Sequence, residues 1–111
     1  MPPLADITRR MESGVPVSTV SGEIDLSNVD SVEIQLLRDV PAHGPFVLDM
    51  DGVTFLDSVG IAMLDRISRR VPGTRLVTTA RGPVARLLDL VGLALPRHAT
   101  VDEAVQDITG S

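Results

Sequence analysis

The segment Val47–Leu64 constrains the fold more than any other part of the chain. The apolar run from Phe46 to Met50 predicts a strand that is buried on both faces, and Asp51-Gly52 predicts a polar turn after it. A helix is expected from about Ser58 to Arg70. Its buried stripe recurs at helical spacing and comprises Gly60, Met63, Leu64, Ile67 and Val71.

The residues before this segment predict a hairpin followed by a helix. Short apolar runs within Ala5–Val20 are broken at Ser13-Gly14, which indicates two strands joined by a turn. Pro16 places the start of the second strand at a sheet edge or a bend, because proline cannot donate a ladder hydrogen bond. Ser27 and Asp30 resemble a capping box. The apolar face of the helix that follows comprises Val29, Val32, Ile34, Leu36, Leu37 and Val40.

The residues after the segment predict two more strands and two more helices. Arg75–Thr79 reads as a short strand, and Leu93–Leu95 is a candidate for the last one. Pro83 suits the first turn of a helix, and Thr100 with Glu103 forms a second capping box before the C-terminal helix. Strands that alternate with helices predict an α/β fold, with helices packed on a mixed or parallel sheet.

Composition favours one soluble domain with an aliphatic core. The 111 residues are 43% hydrophobic and 23% charged, which is ordinary for a globular domain, and we expect a single domain over residues 1–111. Phe46 and Phe55 are the only aromatic residues. The net charge of −5 and the scarcity of aromatics argue against a nucleic-acid partner, because such partners require basic surfaces and stacking side chains.

Missing residue types exclude several kinds of chemistry. The chain has no Cys, which excludes disulfides, thiolate metal sites and a Cys nucleophile. Every basic residue is Arg, so a Schiff base or a phosphate-binding Lys is excluded as well. Neither a secretory leader nor an apolar run long enough to span a bilayer is visible, and we expect a cytoplasmic protein without membrane insertion.

Four Asp residues near predicted strand ends raise the question of a metal site, namely Asp25, Asp49, Asp51 and Asp57. A cluster of this kind could bind a divalent cation or form a phosphoaspartate pocket, but that pocket normally includes a Lys. Asp is also favoured in turns and helix caps, so we predict no metal and no cofactor. His43 and His98 show no nucleophile–base spacing, and we expect surface roles for both.

The dipeptide Asp57-Ser58 lies where the predicted helix begins, and it leaves two alternatives open. Ser and Asp are both preferred N-caps. If Asp57 caps the helix, Ser58 is the first helical residue and its hydroxyl is available to a kinase. If Ser58 caps the helix, its hydroxyl is occupied. A phosphate at a helix N-terminus adds about 1.5–2 negative charges that the helix tolerates, which indicates a switch rather than a catalyst.

Small apolar residues at the start of this helix also allow two interpretations. Val59 and Ala62, with Ile61 at the margin, lie where a solvated helix would carry charge. Gly60 costs about 1 kcal/mol in helix stability relative to Ala. Either this face receives another protein, or it packs against a neighbouring loop of the same domain.

Three segments together resemble the STAS domain of bacterial anti-sigma factor antagonists. They are Val20–Asp25, Val53–Gly60 and Pro83–Leu93, and they follow the family's order over nearly the whole chain. The resemblance implies a single α/β domain. Its mixed sheet would have four to five strands, with about four helices packed largely on one face.

The resemblance also implies a function that depends on phosphorylation. In this family a partner that is both an anti-sigma factor and a serine kinase binds the unphosphorylated antagonist and thereby releases a sigma factor. Phosphorylation of the antagonist ends this binding. Carried over to this chain, Ser58 is the phosphorylation site and Asp25 and Asp57 flank it. The other residues that would line the partner-binding surface are Val59, Gly60, Ile61, Ala62 and Met63.

One alternative stays open because a fold does not determine a function. STAS domains also occur in signalling scaffolds and in small subunits of lipid-transport ABC complexes, so a constitutive interaction subunit is the second candidate. No set of residues supports an enzyme. An edge strand around Val15–Val20 is also a candidate for pairing in a weak homodimer.

Overall fold

A five-stranded sheet with helices on both faces makes up the part of the chain that the computed structural model describes, residues 4–38, 40, 44–79 and 81–110. The predicted α/β class is confirmed. The elements follow one another as β1 (Ala5–Glu12), β2 (Val15–Ile24), α1 (Val29–Leu37), β3 (Val47–Leu56), α2 (Ser58–Arg70), β4 (Arg75–Val77), α3 (Pro83–Val91), β5 (Arg97–His98) and α4 (Val101–Thr109).

The strands lie in the sheet in the same order as in the chain, β1-β2-β3-β4-β5. β1 and β2 form an antiparallel hairpin, and all other neighbours are parallel, so the sheet is mixed as expected. The hairpin turn at Ser13-Gly14 has two residues with positive φ (50° and 79°), the geometry that matches the twist of paired strands.

Two hydrophobic clusters of unequal size lie on the two faces of the sheet. Alternate residues of β3 point to opposite faces, so Leu48 belongs to the large cluster and Val47 to the small one. Helices α1, α2 and α3 cover the large cluster, and α4 covers the small cluster with Ala104 and Val105. Three of the four helices therefore share one face, as the resemblance implied.

Strand β3 is longer than the sequence predicts, and Asp51-Gly52 lies inside it rather than in a turn. The register against β2 shifts twice along this stretch, so β3 accommodates extra residues as bulges. Asp51 is held there because its Oδ1 accepts the Thr79 N–H at 3.0 Å. The longer strand reaches Leu56, which pairs with Ile24 at the end of β2.

One predicted helix cap is present and the other is not. The Glu103 N–H donates to Thr100 Oγ1 at 3.1 Å, so Thr100 caps α4 as predicted, while Glu103 Oε2 accepts the N–H of Ala99, one residue before the cap, rather than that of Thr100. The box at Ser27 is wrong, because Asn28 is the N-cap of α1 and makes no side-chain cap bond. Ser27 instead donates to Asp25.

Three other predictions about the elements need correction. The last strand is Arg97–His98 rather than Leu93–Leu95, since Leu95 turns into the core. Ile34 is exposed rather than part of the buried face of α1. Strand β2, with Pro16, is internal to the sheet, where proline is tolerated because the pairing with β3 begins one residue later, at Val17.

Candidate partner-binding site

The carboxyl ends of two parallel strands bring Asp25 and Asp57 to the same edge of the sheet. Ile24 and Leu56 are register partners, and each Asp is the next residue along its chain segment. The two carboxylates line one shallow depression, together with Leu26 and Ser27. The structure therefore places both flanking residues that the sequence predicts beside each other, at the entrance to α2.

Asp57 is the residue that caps α2. Its backbone is extended, and its Oδ1 accepts the N–H of Val59 at 3.1 Å and that of Gly60 at 3.4 Å. Ser58 is consequently the first helical residue, and it is exposed. Within the described part of the chain, no group hydrogen-bonds the Ser58 side chain. Of the two alternatives left open by the sequence, the structure has the one in which the hydroxyl is available.

The loop between β2 and α1 is held in place by its own polar side chains. Asn28 Nδ2 donates to the Glu23 carbonyl at 2.8 Å, and Asn28 Oδ1 accepts the Asp25 N–H at 2.9 Å. Asp25 Oδ1 accepts the Ser27 hydroxyl at 2.5 Å and the Ser27 N–H at 2.8 Å. The Ser27 hydroxyl, and then its N–H, lower the pKa of Asp25. Asp25 therefore carries a negative charge at neutral pH, in the depression that it shares with Asp57.

The expected binding run from Val59 to Met63 is only partly exposed. Gly60, Ile61 and Met63 are buried in the large cluster or against it. Val59 is half-buried, and Ala62 is exposed. These three residues are buried because α2 turns its apolar stripe toward the sheet. The exposed surface of this run therefore lies on the outer face of the helix.

Leu26 is a residue of this edge that the sequence does not single out. It is 78% exposed, although a leucine gains most by burial, and it stands between Asp25 and Ser27 on the fixed loop. The position of Leu26 in the sequence is the feature that could have identified it. An apolar residue two positions after a buried parallel strand lies near the strand's carboxyl end, where α/β proteins bind their ligands.

The remaining candidates for chemistry lie elsewhere and serve local contacts. Asp49 Oδ1 accepts the Asp51 N–H at 3.1 Å, and His98 Nε2 lies 3.0 Å from Asp107 Oδ2. Over residues 4–38, 40, 44–79 and 81–110 no group of three or more metal-ligating side chains is present. His43 lies outside the described residues. No described helix has the length and apolar character to cross a membrane.

Comparisons with known proteins agree with this architecture. The STAS domain family model matches residues 6–104. The anti-sigma-F factor antagonist RsfB of Mycobacterium tuberculosis is 31% identical over 110 residues, which covers 94% of this chain and 89% of that protein.

Two solved structures share the fold. An anti-sigma factor antagonist from Mycobacterium paratuberculosis superimposes with a TM-score of 0.81 and 27% identity, covering 95% of this chain and 94% of that one. The anti-sigma factor antagonist SpoIIAA in its unphosphorylated form superimposes with a TM-score of 0.66 and 17% identity, covering 96% and 100%, and this likeness is one of fold. The chain therefore belongs to the STAS domain family, and within that family to the anti-sigma factor antagonists.

Proposed function

We propose that this chain binds an anti-sigma factor that is also a serine kinase, and that phosphorylation of Ser58 by this partner ends the complex. The observation that carries the proposal is the exposed Ser58 hydroxyl at the first position of α2, with the cap supplied by Asp57. We call the surface around it the docking edge. The docking edge comprises Asp25, Leu26, Ser27, Asp57, Ser58 and Ala62.

The docking edge has the composition of a small protein interface. Leu26 supplies an exposed apolar side chain, and polar groups of Asp25 and Ser27 surround it. Ala62 follows Ser58 by one helical turn and lies on the same face, where its small side chain lets a partner approach closely. The partner therefore needs an apolar pocket for Leu26 and hydrogen-bond donors for the two carboxylates.

The chain acts by binding, and the covalent step belongs to the partner. The partner transfers the γ-phosphoryl group of ATP to Ser58 Oγ, which loses its proton, and ADP leaves. This chemistry places both proteins in the cytoplasm, where ATP and sigma factors are present. The chain needs no metal or cofactor of its own for this role.

A phosphate on Ser58 affects the free chain and the complex very differently. In the free chain the phosphate lies at the positive end of the α2 dipole, which stabilises it by about 0.3–1 kcal/mol. In the complex it is desolvated beside the Asp25 and Asp57 carboxylates, and like charges in an interface cost several kcal/mol. Since about 1.4 kcal/mol is a tenfold change in affinity, the modified chain is released while its fold survives.

The decisive experiment measures the affinity of Ser58 variants for the cognate anti-sigma factor by isothermal titration calorimetry. Ser58→Ala should bind within about threefold of the wild type, because no described residue hydrogen-bonds the Ser58 hydroxyl. Ser58→Glu should bind at least about a hundredfold more weakly, because it adds charge at the docking edge. Ser31→Glu is the matched control, since Ser31 is an exposed helical serine outside the docking edge.

Labelled ATP provides the second measurement. The partner should transfer label to the wild type and not to Ser58→Ala, and circular dichroism should show that all variants are folded. Equal binding by Ser58→Ala and Ser58→Glu would contradict the switch. That result would favour the constitutive interaction subunit, in which partner binding is indifferent to residue 58.

A further inference from the structure

One edge of the sheet is formed by β1, whose outer side pairs with no other described strand. The two-residue hairpin makes Glu12 and Val15 a hydrogen-bonded pair, so even-numbered residues of β1 bond to β2. The backbone groups of Ala5, Ile7 and Met11 consequently point away from β2. An edge of this kind is a template for another strand.

Exposed apolar side chains are found near both ends of this edge strand. Leu4 directly precedes β1 and Met11 lies near its end, and both are exposed (45% and 63%). Ile34 on α1 is 61% exposed, and α1 is tied to β1 because the Arg9 guanidinium donates to the Gln35 carbonyl. Single exposed apolar residues are ordinary, and Leu4 and Met11 project from opposite faces of the extended chain. The open backbone of β1, rather than one apolar patch, therefore indicates that this edge becomes covered.

The charges on β1 are complementary to those of a second β1. In an antiparallel pair centred on Thr8, Thr8 faces its own copy and Asp6 faces Arg10 of the other chain, on both sides of the two-fold axis. Asp6 is exposed and has no partner in the described part of the chain. Arg10 uses Nε for Glu12 and one terminal nitrogen for Thr19, which leaves further N–H groups to donate. In a register shifted by two residues, Asp6 would instead face Glu12 of the second copy.

We propose that β1 pairs antiparallel with β1 of a second copy of this chain, centred on Thr8, so that the two sheets become continuous. This interface is separate from the docking edge and does not depend on the state of Ser58. It replaces the pairing that the sequence suggests for Val15–Val20, which is excluded because β2 lies between β1 and β3.

A disulfide across the two-fold axis tests the register directly. The chain has no cysteine, so Thr8→Cys carries a single thiol. Residue 8 forms a non-hydrogen-bonded pair with its copy, with a Cα–Cα distance of about 4.5 Å, which suits a disulfide. Thr8→Cys should form a covalent dimer under mild oxidation much faster than Asp102→Cys, an exposed control on α4.

Sedimentation equilibrium tests the charge pairing. The wild type should dimerise reversibly in a concentration series reaching about 1 mM. Asp6→Arg should raise the dimer Kd about tenfold, because it places two like-charged pairs across the axis, and adding Arg10→Asp should restore it. A monomer throughout the series would overturn the proposal. A dimer insensitive to Asp6→Arg, or no faster cross-linking of Thr8→Cys than of Asp102→Cys, would overturn the register.

Discussion

Two contacts set the start of α2. The Asp57 carboxylate accepts the N–H groups of Val59 and Gly60, and the Leu56 side chain occupies the space beside Gly60. A Cβ on Gly60 would lie 2.1 Å from Leu56 Cδ1 and 2.8 Å from its Cγ. Glycine at this position therefore leaves room for the Leu56 side chain in the chain's own core.

This close approach leads to a prediction for Gly60→Ala. Alanine favours a helix by about 1 kcal/mol over glycine, but overpacking against Leu56 costs about 1–3 kcal/mol. We expect a net loss of about 1 kcal/mol in the free energy of unfolding, measured by urea titration. Adding Leu56→Ala should remove the clash, so that Gly60→Ala becomes neutral or stabilising in that background. A stabilised single variant would contradict the packing argument.

At the level of single residues, the sequence predicts which kinds of contact form better than it predicts which residue makes each contact. It indicates that Asp57 or Ser58 caps α2, but the choice depends on the backbone angles of Asp57, which the strand before it imposes. Leu26 is missed for a related reason. Its exposure depends on Asn28 holding the loop from both sides, and hydrophobicity alone suggests the opposite.

Among the elements, α4 rests on a small apolar cluster and on one carboxylate. Asp107 Oδ2 accepts Arg75 Nε at 2.6 Å and lies 3.0 Å from His98 Nε2, so it ties α4 to β4 and β5. The hydrogen bond from Arg75, and then that from His98, lower the pKa of Asp107 below its usual 3.8. A carboxyl with a lowered pKa in the folded chain stabilises the fold above the ordinary pKa.

The attachment of α4 should therefore weaken in acid. The contribution of Asp107 is present above about pH 4 and is lost as the pH falls through its lowered pKa, because the protonated carboxyl no longer pairs with Arg75. We expect the unfolding free energy of Asp107→Asn to depend less on pH between about 4 and 2 than that of the wild type. Identical slopes for Asp107→Asn and the wild type would refute this role.

Elements with strong periodicity are predicted well, and elements defined by pairing are not. The bounds of α2 agree with the sequence, because five apolar residues recur at helical spacing. β3 is predicted too short, because Asp51-Gly52 has the composition of a turn and the bulges depend on β2 and on Thr79. β5 has two residues, and its pairing with β4 leaves no periodic pattern to detect.

Across the whole molecule, the hydrophobic core and the proposed docking edge use different residues. The large cluster fills the space between the sheet and α1–α3, with Phe46 as its only aromatic member, and the expected aliphatic core is confirmed. The docking edge lies outside this cluster, at the carboxyl ends of β2 and β3. A change at the exposed positions Leu26, Ser58 or Ala62 should therefore alter the affinity for a partner with little effect on the stability of the domain, whereas Asp57 also caps α2.

Leu26→Ser tests this separation. Because Leu26 is 78% exposed, its replacement should change the unfolding free energy by less than about 0.5 kcal/mol. Affinity for the anti-sigma factor should fall at least about tenfold, because an apolar anchor in an interface typically contributes more than 1 kcal/mol. The matched variant Leu90→Ser changes an equally exposed leucine on α3 and should leave affinity unchanged. Equal losses of affinity in both variants would remove Leu26 from the interface.

The cap on α2 has an evolutionary consequence. Because the Asp57 carboxylate supplies the cap, the fold does not require a hydroxyl at position 58. A single nucleotide change could therefore replace Ser58 without destabilising the domain. If Ser58 is the switch that we propose, its loss in one step would leave an antagonist that stays bound to its partner. The same independence would let control return as easily, wherever a serine reappears behind an intact aspartate.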